Sequence, residues 1–327
     1  ASSPIGAAPG RRTTVRVKRE EAITAALTSK PLIPWTSLAL PAILLAALAT
    51  TVAVKADLVG AAPAGPVLDE PLTVEIAPRS FDYRDSGEFF RNGFAVDGPV
   101  RSVTVRRPLT IMKFQVTAAD YGRCVADGAC PPAEPGFAPG DATTTPVTGV
   151  SYDDAIAYAG WLSARTGEVW TLPTDRDLAF AAGTRFPDDA LGVDIDSTNP
   201  ADRWLADYRR EAARKASRDP VPQTLGRFGE NEYGFADFAG NVWEWTGTCN
   251  RRVNLDRKGE VLNDVSSCGI YVASGKHRAA MSSFVRNPKG GGCAVGVPPD
   301  NVGFRLVKDT RWYAPLLAAL RARGMPV

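Results

Sequence analysis

The sequence contains almost no histidine, with His277 as the one example among 327 residues. Zinc hydrolases and iron sites built from several histidines need more than one such ligand, so both classes are excluded. A Ser/His/Asp triad would have to use His277 itself. Because His277 lies between Lys276 and Arg278, we interpret it as an exposed basic residue rather than a catalytic base.

Neither sign of charge is in large excess, since the formal net charge is +2. We therefore expect no nucleic-acid partner, because such partners favour a strongly basic surface. The sequence also has no P-loop, no dinucleotide-binding fingerprint and no internal repeat. Its hydrophobic content of 44% is sufficient to form a core.

Cysteines are few, and the spacing of the five matches no zinc-binding pattern. Cys124 and Cys130 flank a short turn, and Cys249 and Cys268 would close a loop of about 20 residues, worth roughly 3 kcal/mol as a disulfide. In an oxidising compartment we predict both disulfides; free buried thiols would suit the cytosol better. Cys293 is left over, either as a reactive thiol or as an inert buried one.

A long uncharged run lies near the N-terminus, from residue 31 to residue 54. Residues 36–54 are long enough to cross a bilayer as a helix, with Trp35 as an interfacial anchor ahead of Thr36 and with Val54 at the far end. A cleaved signal peptide is the alternative, but the basic region and the apolar run are both too long for one.

Basic residues precede this run and few follow it, which predicts a cytoplasmic N-terminus. The expected location is a single-pass position in the inner (cytoplasmic) membrane with the main domain in the periplasm. The predicted organisation is a cytoplasmic basic tail (1–30), a transmembrane helix (31–55), a linker (56–80), a main domain (81–309) and a C-terminal amphipathic helix (310–327).

Within the main domain, hydrophobic alternation predicts strands at residues 72–76, 100–105 and 109–116. Helices are predicted to begin at the N-caps Thr117, Ser151 and Thr174. Residues 187–225 are predicted to be a long irregular surface excursion. In the C-terminal helix, one apolar face is predicted to dock on a partner, on the membrane surface or on its own domain; its residues are Trp312, Leu316, Leu317 and Leu320.

Residues 231–245, here called the signature turn, read NEYGFADFAGNVWEW and combine aromatic rings, two glycines and the carboxylates Asp237 and Glu244. Two interpretations are open from these residues alone. A tight turn with carboxylates and inward carbonyls can form an oxygen cage for Ca²⁺. An aromatic-rich turn can also simply fill a core, since acidic residues beside glycine commonly just form turns.

Five ordered segments carry a family resemblance: KFQVTAADYGRCV (113–125), PVTGVSYDDAIAYAGWLSARTG (146–167), TLPTDRDLAFAAG (171–183), the signature turn, and NVGFRLV (301–307). Together they resemble the formylglycine-generating enzyme, or sulfatase-modifying factor, family. The resemblance covers residues 88–309. It implies an α+β fold, a compact domain related to C-type lectins with little regular secondary structure, to which the predicted transmembrane helix is added.

The resemblance also implies that the domain binds calcium. Family members hold Ca²⁺ at the turn that corresponds to the signature turn. Carried over, its ligands are the side chains of Asp237 and Glu244 and the backbone carbonyls of Gly240 and Val242. A second family site maps near Asp207, beside Tyr208.

The family's catalysis does not carry over. Its enzyme oxidises a substrate cysteine to formylglycine at Cu(I) held by two cysteines, and thiolates suit this soft ion. The corresponding positions here fall near Ala280 and Val285. The three-histidine iron site of the family's sulfoxide synthases is impossible with one histidine. We therefore predict no catalytic residue, no copper and no haem.

These observations favour a membrane-anchored, non-catalytic accessory subunit of a membrane complex, with a respiratory electron-transfer complex as one possible host. The expected partners are the lipid bilayer and other membrane-protein subunits. One alternative is a periplasmic module that binds a peptide or a glycan. Another is an oxidase that makes formylglycine at a rearranged metal site around Cys293 and His277.

Overall fold

The computed structural model describes residues 43–45, 70–138, 140–193, 196–216, 220–289 and 299–322. The chain forms two compact units, Ala1–Val59 and Gly60–Val327. Of the first unit, only residues 43–45 are described, and they are helical. The basic tail, the anchor residues Trp35, Thr36 and Val54, and most of the predicted span and linker lie outside the described residues. Within the described ranges, no helix is long and apolar enough to cross a bilayer.

The second unit mixes strands and helices, as an α+β fold requires. Its strands are β1 (Thr73–Ile76), β2 (Arg79–Arg84), β3 (Glu88–Arg91), β4 (Phe94–Val96), β5 (Val100–Val105), β6 (Leu109–Met112), β7 (Trp170–Thr171), β8 (Trp243–Leu255), β9 (Val261–Ser274), β10 (Arg278–Ser282), β11 (Val302–Gly303) and β12 (Val307–Lys308). Its α-helices are α1 (Ala118–Ala126), α2 (Tyr152–Thr166), α3 (Asp175–Ala182), α4 (Pro200–Ala216) and α5 (Ala314–Ala322).

The largest sheet has the strand order β10-β9-β8-β3-β4, and β11 pairs with β8 in parallel. The long strands β8 and β9 are antiparallel, and their register shifts between Trp245 and Cys249 and again just after Cys249. Such bulges bend a strand and increase its twist. The sheet therefore curls, and the outer half of the β8–β9 hairpin extends beyond the core.

Two smaller sheets complete the unit. One has the order β1-β6-β12-β7, and the other pairs β2 with β5. The strand predicted at residues 100–105 is confirmed as β5 with the expected bounds. The strand predicted at residues 109–116 ends earlier, at Met112, because the following backbone bonds to the 304–306 segment instead, with Val116 donating to the carbonyl of Phe304.

The three predicted N-caps are confirmed. Thr117, Ser151 and Thr174 each accept a hydrogen bond from the third backbone N–H of the helix that they begin. In α2 and α3 the aspartate at that third position also bonds back to the N-cap amide, which completes a capping box. Gly167 ends α2 in the left-handed conformation, as its position predicts.

The prediction of an irregular excursion at residues 187–225 is wrong in its middle, where α4 runs for 17 residues. Asn199 and Pro200 start it, since the Asn199 side chain accepts the amide of Ala201 and proline fits the first helical turn. Trp204 and Tyr208 lie one turn apart on the exposed surface with their rings stacked at 5.7 Å.

The C-terminal helix is confirmed, but the predicted apolar face is wrong in part. The helix α5 begins at Ala314, so Trp312 lies before it, 91% exposed. Leu316 is exposed, whereas Leu317 and Leu320 are half-buried. Only the latter two leucines therefore cover part of their own domain.

Both predicted disulfides are present, Cys124–Cys130 and Cys249–Cys268. The first ties the end of α1 to the turn that follows it. The second joins β8 to β9 at the register shift, which is the base of the extended hairpin. Cys293 lies outside the described residues.

Glycine at position 303 is required by a close contact. A Cβ atom on Gly303 would lie 2.4 Å from the carbonyl oxygen of Val147, far inside any allowed distance. Gly160 offers the opposite case, since a Cβ atom there meets nothing within 4 Å on the exposed face of α2.

We expect Gly303→Ala to lower the free energy of unfolding by about 2 kcal/mol or more, because the backbone must move to relieve the overlap. The matched variant Gly160→Ala should raise it by about 0.5–1 kcal/mol, since alanine is the better helix former. Urea unfolding of both variants measures this. Equal effects of the two substitutions would contradict the argument.

Candidate functional site

The signature turn and residues 301–307 meet in a fully buried ion pair. Arg305 donates from Nε to Oε2 of Glu244 at 2.6 Å and from Nη2 to Oε1 at 2.7 Å, and both side chains have no exposed surface. Arg305 also donates to the backbone carbonyls of Lys113 and Ala236, at 2.7 and 2.9 Å. The ring of Phe235 lies 4.0 Å from its guanidinium carbon.

A third family segment, residues 113–125, also contacts this ion pair. Nε2 of Gln115 donates to Oε1 of Glu244 at 2.7 Å. Glu244 therefore accepts hydrogen bonds from both Arg305 and Gln115, and its two oxygens are occupied by donors of this chain. The aromatic residues of the turn surround the pair and belong to the core, where Phe235 and Trp245 have no exposed surface.

Asp237 has a different set of partners. It sits in the left-handed region with a φ of 60°, and its carboxylate accepts the backbone amide of Gly226 at 2.5 Å and that of Phe228 at 2.8 Å. This arrangement fixes the loop that precedes the signature turn. Aspartate tolerates the left-handed conformation better than most residues do.

These donor sets do not fit calcium. A Ca²⁺ ion needs six to eight oxygen ligands, with free carboxylate oxygens among them. Here Asp237 is bound by backbone amides and Glu244 by a guanidinium, so an ion at either would have to displace them. No group of three or more Asp, Glu, His or Cys residues in the described ranges could hold a metal ion. Calcium at Asp237, Gly240, Val242 and Glu244 stays a prediction that this geometry does not support.

The second predicted calcium position falls on α4, which contains Asp207 and Tyr208. Tyr208 is exposed and stacks on Trp204. The side chain of Asp207 is outside the described part of the molecule. This second calcium site therefore also stays a prediction.

The positions that correspond to the family's copper cysteines lie on and just after β10. Ala280 is a half-buried residue of β10, and Val285 is buried in the segment after that strand. Nearby, Tyr152 and Tyr271 stack at 3.6 Å, and Phe284 is 74% exposed. Neither alanine nor valine offers a donor atom to Cu(I), so the residues at this place do not fit the family's metal.

The segment after β10 is held by an ion-paired arginine instead. Arg286 donates to both oxygens of Asp154, at 2.7 and 2.9 Å, and also reaches the carboxylate of Glu134. Burial alone would raise the pKa of Asp154, but hydrogen bonds from Arg286 and from the Ser151 amide outweigh it and hold this pKa below its usual value.

A second buried cluster was missed by the sequence reasoning. Asp175 has no exposed surface and accepts hydrogen bonds from Tyr83, Ser274 and Arg278. Burial and the adjacent Asp175 carboxylate raise the pKa of Tyr83, so its hydroxyl stays protonated. Asp175 lies in the TLPTD segment, but nothing local to that segment names its partners, which come from β2, β9 and β10.

Tyr83 and Arg278 also line a cavity of about 470 Å³ that runs along all of β2. Arg79 stands in its wall between the rings of Phe180 and Tyr233, each 4.0 Å from the guanidinium carbon. The cavity is thus lined by aromatic rings and guanidinium groups, features typical of small-molecule or peptide binding.

His277, which the sequence predicts to be exposed, is 4% exposed, so this prediction is wrong. It lies at the turn between β9 and β10 with its ring edge-on to Trp243 at 5.2 Å. Its carbonyl accepts the indole N–H of Trp243 at 3.0 Å. The charged neighbours in sequence gave no sign of this packing.

Breaking the ion pair between Glu244 and Arg305 should destabilise the folded protein. We expect Glu244→Gln to lower the free energy of unfolding by about 3–5 kcal/mol, because Arg305 would be left as an uncompensated buried charge. Glu134→Gln is the control: its carboxylate is 66% exposed, so the loss should stay below about 1 kcal/mol. Urea unfolding measures both, and a small effect at Glu244 would refute the central role of the pair.

The Asp154–Arg286 contact predicts a pH dependence. A lowered folded-state pKa stabilises the protein above the unfolded-state value of about 3.9, and this contribution is lost as the pH falls through the folded-state value. The difference in unfolding free energy between wild type and Asp154→Asn should therefore be largest near neutral pH and shrink below about pH 4. Urea unfolding across this range tests it, and a constant difference would contradict it.

Comparisons with known proteins show the family to which the chain belongs. Residues 60–310 match the family "Sulfatase-modifying factor enzyme 1-like domain". The chain is 25% identical over 265 residues to inactive C-alpha-formylglycine-generating enzyme 2 of Bos taurus, covering 75% of this chain and 80% of that protein. It is 37% identical over 112 residues to the formylglycine-generating enzyme of Mycobacterium tuberculosis, covering 32% and 33% of the two chains.

Among solved structures, PvdO from Pseudomonas aeruginosa aligns with a TM-score of 0.47 and 20% identity, over 73% of this chain and 94% of that one. The family match spans more than half of the sequence, from before β1 to just past β12. The chain belongs to the sulfatase-modifying factor family, whose members share the formylglycine-generating enzyme domain.

Proposed function

We propose that this protein is a non-catalytic member of its family that serves as an accessory subunit of a membrane-protein complex. The proposal that the protein is non-catalytic rests on the residues at the positions assigned to the family's copper cysteines. Ala280 and Val285 stand there in place of the two thiols that catalysis requires. Four of the five cysteines are joined in disulfides away from these positions. Relatives in Bos taurus and Mus musculus also carry the word inactive in their names.

The proposal that the protein is an accessory subunit of a membrane-protein complex rests on the sequence. The uncharged run at residues 31–54 supports a single-pass anchor in the inner membrane, with the family domain on the periplasmic side. Two structural disulfides suit that oxidising compartment. A domain fixed at the membrane without its own chemistry is suited to hold or orient other subunits, and an electron-transfer complex is one candidate host.

The proposed lack of formylglycine-generating activity is tested with the full chain in a mild detergent. The protein is loaded with Cu(I) and incubated with O₂ and a cysteine peptide, and the peptide mass is followed. We expect no conversion to formylglycine, because no pair of thiolates is present to hold the copper. The Mycobacterium tuberculosis formylglycine-generating enzyme is the positive control. Conversion that disappears in Cys293→Ser would establish a rearranged oxidase site instead.

The accessory role is tested by affinity purification through the C-terminus after gentle detergent extraction. Membrane-protein subunits in fixed stoichiometry are the expected result. A preparation free of any other subunit would contradict the proposal.

The cavity along β2 favours a second candidate, a module that binds a peptide or a glycan. Its wall of guanidinium groups and aromatic rings could contact either ligand. Retention of a soluble ligand, lost in Arg79→Ala but kept in Arg101→Ala on the neighbouring β5, would support this second function.

A further inference from the structure

The cavity beside β2 lies along the open edge of this strand. β2 pairs with β5 on one side and with no other strand of the described residues. All six residues of β2 line the cavity, whereas β5 contributes only Val100. A cavity over one face of the sheet would meet alternate residues of β2, because strand side chains alternate between faces. The cavity therefore runs along the backbone of β2, on the side away from β5.

The register identifies which backbone groups of β2 this edge presents. The amide of Asp85 donates to the carbonyl of Pro99, in register with the β2–β5 ladder. In an antiparallel pair, such hydrogen-bonded positions alternate with positions whose N–H and C=O groups face away from the partner strand. Ser80, Asp82 and Arg84 occupy the second kind of position, so their N–H and C=O groups face the cavity.

Two contacts agree with this assignment. Oγ of Ser80 lies 2.8 Å from Oγ1 of Thr104 on β5, and side chains approach most closely at positions that exchange no backbone hydrogen bonds. The carbonyl of Arg84 accepts a hydrogen bond at 2.8 Å from Nη2 of Arg278, which also lines the cavity. The N–H and C=O groups of Ser80 and Asp82 have no backbone partner among the described residues, so they can pair with a ligand.

We propose that an extended peptide segment of another protein binds in this cavity as an added strand on β2. The proposed peptide binding rests on the second candidate function, in which the β2 cavity holds a ligand. The backbone groups of Ser80 and Asp82 repeat after about 7 Å, the length of two strand residues. An extended peptide presents its own N–H and C=O groups with the same repeat. This match favours a peptide over a glycan.

The cavity also favours a single strand over a second copy of this chain. Residues that follow α3 form another part of its lining, among them Thr184, Phe186 and Pro187. A strand added to β2 would lie about 4.8 Å from it and needs only that width. The folded sheet of a second copy is much wider, and the residues after α3 would obstruct its approach to this edge.

The charges in the cavity favour a basic peptide. Two of its three arginines are already paired with carboxylates. The third, Arg79, is enclosed between the rings of Phe180 and Tyr233. The carboxylates of Asp82 and Glu232 are exposed and form no ion pair within the described residues. A lysine or arginine of the added strand beside Asp82 would form a cross-strand pair of opposite charges, which stabilises a sheet.

Two proline variants test the pairing. Ser80→Pro removes a backbone N–H from the edge that faces the cavity, whereas Thr104→Pro removes one from the far edge of β5. Both variants lose the same contact between the two hydroxyl groups. Neither removes a hydrogen bond between β2 and β5, so both should fold. The probe is the fluorescently labelled peptide acetyl-Val-Lys-Val-Lys-Val-amide, titrated into the full chain in a mild detergent.

We expect saturable binding to wild type and about tenfold weaker binding to Ser80→Pro, because a backbone hydrogen bond to the peptide is lost. Thr104→Pro should bind the probe as wild type does. Replacing both lysines of the probe with glutamate should weaken its binding to wild type by about tenfold. Absence of binding to wild type, equal effects of the two proline substitutions, or equal affinity for the glutamate peptide would overturn the proposal.

Amide hydrogen exchange of wild type gives a second test that needs no variant. At saturating probe, the amides of Ser80 and Asp82 should exchange about tenfold more slowly, because they become hydrogen-bonded. The amide of Thr104 is the internal control and should keep its rate. Unchanged rates at Ser80 and Asp82 would overturn the added strand. If a ligand is still retained through Arg79 while both proline variants bind it equally, the second candidate function stands without this mode of binding.

Discussion

The buried pair between Glu244 and Arg305 is the constraint on which the rest of the domain depends. Two charges without any exposed surface are stable only if every donor and acceptor finds a partner. That demand brings three segments together: residues 113–115, the signature turn with Ala236 and Glu244, and residues 301–307, which contain Arg305. Each segment comes from a different part of the sequence, so the pair connects the chain across about two hundred residues. Position 303 also requires glycine, because the backbone carbonyl of Val147 lies too close to it to leave room for a Cβ atom.

This arrangement separates the family's structural residues from its chemical ones. The sequence segments that identify the family supply helix caps, the central ion pair and the aromatic core, and all of them can persist when catalysis is lost. The positions that the resemblance assigns to copper, near Ala280 and Val285, lie elsewhere, on β10 and in the segment just after it. Under the proposed function, this chain keeps the family's structural segments without the family's catalysis. Family membership therefore fixes the fold here and leaves the function to be argued from the site.

Much of the local structure could be predicted from the sequence, because its causes are local. Thr117, Ser151 and Thr174 cap helices through side chains that bond only three residues ahead. The two disulfides followed from spacing and compartment. The helix α4 was missed although Asn199, Pro200 and Asp202 form a helix start, because its sequence is mostly polar. The partners of Glu244, Asp237 and Asp175 could not be predicted, since a carboxylate that binds calcium and one that binds arginine or backbone amides look the same in sequence. The prediction that His277 is exposed was wrong because its charged neighbours in sequence indicated an exposed position, whereas the residue is buried.

The outer half of the β8–β9 hairpin, here called the arm, differs from the centre of the domain in its exposure, since residues 261–269 are all exposed whereas residues 243–246 are all buried. The core pairs its buried charges, Glu244 with Arg305 and Asp175 with Arg278, whereas the outer half of β9 exposes its side chains. The disulfide at the arm's base and the bulge beside it mark the boundary between the two. Polar side chains have partners on both sides of this boundary: Thr246 donates to the carbonyl of Val272 on one side, and Arg251 pairs with Asp264 on the other. The same physical rule therefore accounts for both regions: a polar group removed from water must have a partner, and one left in water is free to acquire one.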